Sequence, residues 1–146
     1  MRPYLERAAM GHAFLRAKEN HGCAGSDGQT LREFEARLDD ELARLAEEVE
    51  TGSYWAWPLR RVEVEKRPGS KEGRRLLIPA VRDRVLQTAV AAYMEPFLEK
   101  EFEPCSFAYR RGRSVQMAVE RVHQLRMEGY NWLLDADIDD FFDSAS

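Results

Sequence analysis

Residues 60–79, RRVEVEKRPGSKEGRRLLIP, contain two short apolar patterns on either side of a turn. Val62 and Val64 alternate with charged residues, which is typical of a half-buried β-strand. Residues 68–73 include a proline and two glycines and predict the turn. Residues 76–78 form a second short apolar run, which a proline ends. The stretch therefore predicts a β-hairpin with a basic tip.

Basic residues surround the predicted hairpin, although the whole chain has a formal net charge of −4. Residues 58–84 carry nine Lys or Arg against four Asp or Glu, and residues 106–126 carry five Arg against one Glu. A basic flap can close over phosphates, because Lys acts as a point charge and Arg as a two-pronged donor. A solvated, solubilising surface is the alternative. The basic residues of the flap are Arg60, Arg61, Lys66, Arg67, Lys71, Arg74 and Arg75.

Length and composition limit the class of protein. The chain has 146 residues, about one domain, and 44% of them are apolar, too many for a disordered chain. Cys23 and Cys105 form no Cys-x-x-Cys pair, which argues against a disulfide scaffold or a four-ligand zinc site. No apolar run approaches the roughly 20 residues that cross a bilayer, and residues 1–7 lack a secretory signal. We expect a soluble, cytoplasmic protein with no membrane partner.

Helical periodicity predicts four helices around the hairpin. The first covers residues 3–19, and the second begins after the N-cap Thr30 and ends near Gly52. The third begins at Asp83, and the fourth begins after the N-cap Ser114. The elements together predict an α/β (α+β) fold that is mostly helical. The predicted apolar face of the first helix consists of Tyr4, Leu5, Ala8, His12 and Leu15.

The C-terminal residues combine a predicted strand with a cluster of acids. Residues 132–138 end in alternating apolar and acidic side chains, which predicts a β-strand. Carboxylates at the end of a strand commonly hold Mg²⁺, and an acidic surface in water is the alternative. An EF-hand is excluded, because Asp140 and Ser146 stand where its loop needs Gly and Glu. The acidic cluster consists of Asp135, Asp137, Asp139, Asp140 and Asp143.

Three aromatic residues, Tyr54, Trp55 and Trp57, precede the basic stretch. Aromatic rings beside basic residues can stack on the unpaired bases of a nucleic acid. Packing in the core explains the same residues at least as well, because aromatic side chains dominate protein cores. The sequence leaves both interpretations open.

Seven short motifs follow one another along the chain with a spacing that is typical of one protein family. They are Gly25-Ser26-Asp27-Gly28; Gly52-Ser53-Tyr54 leading to Pro58-Leu59-Arg60-Arg61-Val62; Lys66 with Gly73-Arg74-Arg75-Leu76-Leu77-Ile78-Pro79; Asp83-Arg84-Val85-Leu86-Gln87; Leu98-Glu99 with Phe102; Ser106-Phe107-Ala108-Tyr109-Arg110-Arg111-Gly112-Arg113-Ser114; and Asp137-Ile138-Asp139-Asp140-Phe141-Phe142-Asp143. Over roughly residues 25–143 they resemble the amino-terminal part of a bacterial reverse transcriptase of the group II intron maturase type. The variant Ala108-Tyr109-Arg110 looks more like reverse transcriptases associated with CRISPR loci, or other non-intron bacterial types.

The resemblance implies a right-hand polymerase that copies RNA into DNA. Residues 1–130 would form its fingers region, and residues 131–146 would form the start of its palm, with the first palm strand. Its partners would be an RNA template, a DNA or RNA primer, and deoxynucleoside triphosphates. Its chemistry would be nucleotidyl transfer assisted by two Mg²⁺ ions.

The resemblance also assigns site residues. In the family, the first aspartate of the last motif binds catalytic Mg²⁺; it corresponds to Asp137, and the carbonyl of Ile138 can assist. Phe142 corresponds to the aromatic residue that lies under the sugar and disfavours a 2′-hydroxyl. The basic residues that hold the incoming triphosphate correspond to Lys66, Arg74 and Arg75.

Missing motifs separate the chain from a complete polymerase. The 146 residues contain no Tyr-x-Asp-Asp motif, which carries the family's second metal-binding carboxylate, and we expect the rest of the palm and the thumb downstream. We therefore expect that this chain alone does not polymerise. Two further interpretations stay open: a non-catalytic RNA-binding module, and a helical protein-interaction domain that uses the acidic helix at residues 31–50.

Overall fold

The structure, a computed structural model, describes residues 2–20, 22–65 and 73–138, apart from the side chain of Arg74. In this part of the chain, none of the helices is both long enough and apolar enough to cross a bilayer. The elements belong to two units, Met1–Lys100 and Glu101–Ser146. They are a 3-10 turn (Pro3–Leu5), α1 (Arg7–Glu19), α2 (Leu31–Ala36), α3 (Leu38–Thr51), β1 (Arg60–Glu65), β2 (Gly73–Ile78), α4 (Val81–Leu98) and α5 (Val115–Met127).

The predicted α+β class is confirmed, because helices dominate and the two strands pair only with each other. The strands are antiparallel: Arg60 pairs with Ile78 at one end of the ladder, and Glu65 pairs with Gly73 at the other. The half-buried positions on β1 are Val62 and Val64, as the alternation predicts. Both strands extend beyond the apolar residues that revealed them.

The core of the first unit lies between α1 and α4, with α2 and α3 packed beside them. The rings of Phe14 and Phe34 stack with their centroids 5.6 Å apart and join α1 to α2. Fully burying an apolar side chain of this size contributes about 1.5–3 kcal/mol. The buried apolar residues are Leu5, Met10, Ala13, Phe14, Ala17, Phe34, Leu42, Leu45, Ala80, Val81, Val85, Leu86 and Ala89.

The apolar face predicted for the first helix is only partly right: Leu5 is buried and Tyr4 packs against the core, but Ala8 and His12 are exposed. Pro3 begins a 3-10 turn, and Glu6 then adopts an extended backbone with ψ 141° before α1 begins. This break changes the phase of the helix, so that it buries the face listed next, while Leu15 is exposed. The residues of α1 that are buried are Met10, Ala13, Phe14 and Ala17.

The helix predicted from Thr30 to Gly52 divides at Arg37, whose backbone has φ −128° and ψ 33°. Its two predicted ends are confirmed. The hydroxyl of Thr30 accepts from the Glu33 amide. The Glu33 carboxylate accepts from the amide and from the hydroxyl of Thr30, and these two bonds hold the pKa of Glu33 below its ordinary value. Gly52 ends α3 at φ 75°, a left-handed conformation that favours glycine.

In the second unit, the predicted start of α5 is confirmed. The hydroxyl of Ser114 accepts a hydrogen bond from the Met117 amide at 3.2 Å and caps the helix. However, no residue of α5 is buried, and Val119 and Val122 are exposed. An apolar stripe specifies which face of a helix can be buried, but it does not specify what covers that face.

The strand predicted at residues 132–138 does not form, so the described residues contain no palm strand. Leu134 and Ile138 are exposed, and Trp132 is 99% exposed. A strand needs a hydrogen-bonded neighbour, and the two strands of the described chain are paired with each other. The alternating pattern predicts a strand only where such a neighbour exists.

We predict that Gly25→Ala destabilises the first unit. A Cβ atom at Gly25 would lie 2.5 Å from the Cα atom and 2.6 Å from the backbone nitrogen of Ala80. Forcing such overlap in a packed site costs about 1–3 kcal/mol, which chemical denaturation would measure. The control is Gly73→Ala, where the nearest atom lies 3.7 Å away. Equal stability of the two variants would contradict the predicted close packing.

Candidate functional site

The hairpin exposes several of its basic side chains. Arg60, Arg61 and Arg75 are exposed, and the ladder places Arg75 opposite Glu63. Opposite charges at facing positions of an antiparallel pair attract each other. Arg74 pairs with Val64 through the backbone. Lys66, Arg67 and Lys71 lie outside the described residues.

A loop at residues 22–28 fixes the base of the hairpin. The guanidinium of Arg60 donates to the carbonyl of Ala24 at 3.2 Å, and the hydroxyl of Ser26 donates to the carbonyl of Pro58. Gly25 is buried against Ala80, just beyond the end of β2. The loop therefore contacts the chain on both sides of the hairpin, and one of the exposed arginines helps to hold it.

A buried carboxylate joins the segment before the hairpin to the start of α4. Asp83 is 1% exposed. Its Oδ1 accepts a hydrogen bond from the hydroxyl of Tyr54 at 2.8 Å, and its Oδ2 accepts one from the Trp57 amide at 3.0 Å. The sequence predicted Asp83 as the first residue of the helix. The helix begins two residues earlier, at Val81, and this places Asp83 inside its first turn.

Asp83 also changes the acidity of its phenol partner. Burial raises the pKa of Tyr54 to about 12, and the hydrogen bond to Asp83 and the negative charge of Asp83 act in the same direction. The neutral phenol is the form that can donate to a carboxylate. The folded state therefore keeps Tyr54 protonated.

Arg82 does not present its charge to solvent. Its guanidinium forms an ion pair with Glu48 of α3 and lies over the ring of Tyr54, 5.4 Å from the ring centre. The Arg82 side chain is 12% exposed. On the next residue, the guanidinium of Arg84 donates to the carbonyl of Cys23 at 2.8 Å. Two of the basic residues counted near the hairpin thus bind groups of the protein itself.

In the second unit, arginines organise a loop at residues 101–113. The guanidinium of Arg110 donates to the carbonyls of Glu103 and Ser106, each at 2.8 Å, and lies over the Phe102 ring. Tyr109 is fully exposed and has φ 57°, which is unusual for a residue other than glycine. The loop thus carries an exposed aromatic ring two residues before the exposed Arg111.

The predicted metal ligands Asp137 and Ile138 lie at the end of the described chain and are exposed. The Ile138 amide donates to Oδ1 of Asp137 at 2.9 Å. Carboxylate and carbonyl oxygens are the donors that Mg²⁺ prefers, so these two residues fit the ion. Within the described residues, no three His, Cys, Asp or Glu side chains group around a metal position. The remaining predicted residues of this motif, Asp139, Asp140, Phe142 and Asp143, lie outside those residues.

Comparisons with known proteins identify relatives of the chain, although no family model matches it. Protein YkfC of Escherichia coli is 38% identical over 125 residues, which cover 83% of this chain and 32% of YkfC. The group II intron-encoded protein LtrA of Lactococcus lactis is 29% identical over 106 residues, which cover 73% of this chain and 17% of LtrA. The chain is related to group II intron-encoded proteins.

A third relative is also named as an intron protein. A COX1/OXI3 intron 1 protein of Saccharomyces cerevisiae is 27% identical over 134 residues, which cover 92% of this chain and 16% of that protein. The chain thus spans between 16% and 32% of the length of these three relatives. The resemblance seen in the motifs is confirmed at the level of intron-encoded proteins, and its subfamily stays a prediction.

Sequence reasoning about this relative of intron-encoded proteins missed the contacts around Asp83. Acidic residues in the first turn of a helix usually face solvent and interact with the helix dipole. No periodic signal distinguishes Asp83 from such a residue, and its partners Tyr54 and Trp57 lie 29 and 26 residues away. Arg82 and Glu48 were counted only as surface charges. Knowledge of the tertiary contacts is needed to recognise these roles.

We predict that Tyr54 titrates near pH 12, apart from the other four tyrosines. Ultraviolet absorbance of tyrosinate would follow each step, and Asp83→Asn should lower the pKa of Tyr54 because it removes the negative acceptor. The phenol of the unfolded chain ionises near pH 10, before that of the folded chain. The free energy of unfolding therefore falls as the pH rises from about 10 to about 12. In Tyr54→Phe this fall should be smaller. The control Tyr130→Phe, at an exposed position, should keep the step near pH 12. A wild-type titration without that step would exclude the Tyr54–Asp83 contact.

Proposed function

We propose that this chain forms the fingers and the start of the palm of an RNA-directed DNA polymerase of the group II intron maturase type. The observation that carries the proposal is the similarity to a group II intron-encoded protein over 73% of the chain. The exposed basic residues of the hairpin support it, because phosphate contacts dominate the affinity of proteins for nucleic acids. Cytoplasmic RNA would be the template.

The hairpin is proposed to bind polyanions. In this proposal Lys66, Arg74 and Arg75 hold the triphosphate of an incoming deoxynucleoside triphosphate. Arg61 contacts a phosphate of the RNA template or of the DNA or RNA primer, since its side chain is exposed on β1. Such contacts fix the position of a nucleic acid and carry no base information.

The catalytic step is proposed to use Asp137 and the carbonyl of Ile138 as ligands of Mg²⁺. Two such ions, when bound, activate the primer hydroxyl and neutralise the leaving pyrophosphate. Asp137 has a second carboxylate oxygen besides the one that accepts from the Ile138 amide, and this oxygen can face an ion. Phe142 is proposed to lie under the sugar and to disfavour ribonucleotides.

The proposed activity belongs to a longer protein. The 146 residues contain no Tyr-x-Asp-Asp motif, so one predicted carboxylate ligand is missing from them. We propose that further palm and thumb residues supply it, since the relatives are three to six times as long as the matched part. The chain alone is then a nucleic-acid-binding part of the enzyme.

We predict that the 146-residue chain binds single-stranded RNA and that this binding weakens with salt. Each phosphate contact on a single strand contributes about 0.7 to the slope of log K against log salt. Arg61→Gln and Arg75→Gln should each lower the slope by about that amount, measured by fluorescence polarisation with a labelled oligoribonucleotide.

The matched control is Arg16→Gln, an exposed arginine on α1, which should leave the slope unchanged. If the wild-type chain has no affinity for RNA, the proposed function fails, and the alternative of a protein-interaction domain is favoured. If all three variants bind RNA as the wild type does, the hairpin is not the contact surface.

We predict that Asp137→Ala in the full-length protein abolishes Mg²⁺-dependent primer extension and changes RNA affinity by less than about threefold, equivalent to roughly 0.6 kcal/mol. The reason is that Asp137 is assigned to the metal and not to the template. Extension of a DNA primer on an RNA template would measure activity.

Asp40→Ala, which removes an exposed carboxylate on α3, is the charge-matched control and should keep full activity. The wild-type 146-residue chain should show no extension. Synthesis by that chain would refute the proposal that the chain needs further palm residues, and synthesis by full-length Asp137→Ala would refute the metal assignment. Joint loss of RNA binding and activity would indicate a folding role for Asp137.

A further inference from the structure

The three aromatic residues before the hairpin have different environments. Tyr54 packs against the core of the first unit, in agreement with the packing interpretation. Trp55 is 85% exposed and Trp57 is 47% exposed. Packing in the core therefore explains Tyr54 but not the two indole rings, which remain available to a ligand.

The two indoles line a cleft of about 530 Å³. Ligand sites in proteins commonly have volumes of about 300–1,000 Å³, so the cleft is large enough for a flat heterocycle and part of its sugar. Its other walls come from the end of α3, the segment that follows it and the start of α4. The residues that line the cleft include Glu48, Ser53, Trp55, Trp57, Pro58 and Arg82.

The backbone that carries Trp55 is anchored on both sides. On one side, the amides of Ser53 and Tyr54 donate to the carbonyl of Glu48, each at 2.9 Å. On the other side, the Trp57 amide donates to the buried Asp83 at 3.0 Å. A ring held on a fixed backbone loses little conformational entropy when a ligand binds.

The charges around the cleft favour a base over a phosphate as its occupant. The guanidinium of Arg82 is paired with Glu48, so the cleft wall carries a positive and a negative group together. Arg60 and Arg61 follow Trp57 by three and four residues. An extended chain spans about 3.3 Å per residue, so the Cα atoms of these two arginines lie at most about 10–13 Å from that of Trp57. A single-stranded nucleic acid presents rings and phosphates at comparable separations.

We propose that Trp55 and Trp57 form a stacking site for an unpaired base of single-stranded RNA, next to the phosphate-binding hairpin. The inference rests on the proposed function for its ligand class, and it adds a site that recognises the bases themselves. Aromatic side chains stack on every base, because every base has a π-face, so the site selects unpaired strands without a sequence preference.

The test is the affinity of the 146-residue chain for an unstructured oligoadenylate, compared among three tryptophan variants. Trp55→Ala should weaken binding by about 5- to 150-fold, the range expected for loss of one stacked base, and Trp55→Phe should restore part of it. Trp132→Ala is the matched control, since Trp132 is 99% exposed and belongs to the other unit, and it should bind as the wild type does. Circular dichroism would check that each variant keeps its helices.

Two further readouts separate stacking from charge. Trp55→Ala should leave the salt dependence of binding unchanged, because no phosphate contact is lost. With an abasic oligonucleotide, wild type and Trp55→Ala should bind equally.

Equal affinity of these two proteins for oligoadenylate would overturn the stacking site and leave the proposed function intact if the arginine variants still change the salt slope. Absence of RNA binding by the wild type would overturn both. Quenching of Trp55 fluorescence by a proline-rich peptide, with no RNA effect, would assign the cleft to a protein partner.

Discussion

The arrangement of the first unit depends on the buried carboxylate of Asp83. A charged group removed from water needs partners, and Asp83 finds them in the hydroxyl of Tyr54 and the amide of Trp57. A hydrogen bond to a charged group typically contributes about 1.5–3 kcal/mol to stability. The bonds bring the segment after α3 to the start of α4. That segment enters β1, so Asp83 determines where the hairpin begins.

The end of β2, which lies at the same end of the ladder as the start of β1, is fixed by close backbone packing. β2 is followed by Pro79 and Ala80, and Gly25 approaches Ala80 at a distance that admits no Cβ atom. The same loop receives a hydrogen bond from Arg60 at the start of β1. The start of β1 and the end of β2 are thus held by different contacts, one by a carboxylate and one by a glycine. If the basic hairpin binds a polyanion, as proposed, it benefits from such a frame, because a fixed surface loses less entropy on binding.

The sequence predicted those elements that depend on interactions between residues close together in the chain. The capping box at Thr30 and the left-handed Gly52 are short-range features, and both were predictable. The hairpin was also predictable, because alternation and turn residues lie within 20 positions of each other. The buried face of α1 was not, because an extended Glu6 changes the helical phase. The strand at residues 132–138 was not either, because pairing depends on a neighbour that the pattern does not contain.

In the candidate site, likewise, the sequence predicts the number of basic residues but not the environment of each one. Residues 58–84 contain nine basic side chains, and composition alone does not distinguish one from another. The structure separates them: Arg82 is neutralised by Glu48, Arg84 is bound to the carbonyl of Cys23, and Arg60 is both exposed and bonded. A guanidinium that donates to a carbonyl keeps its charge, but part of its donor capacity is used within the protein. In the proposed function, the described hairpin therefore offers a polyanion fewer cations than the charge count implies, chiefly the exposed Arg61 and Arg75. If affinity for a single strand exceeds what these cations supply, the difference has to come from uncharged contacts, and the exposed indoles beside β1 are the groups placed to make them.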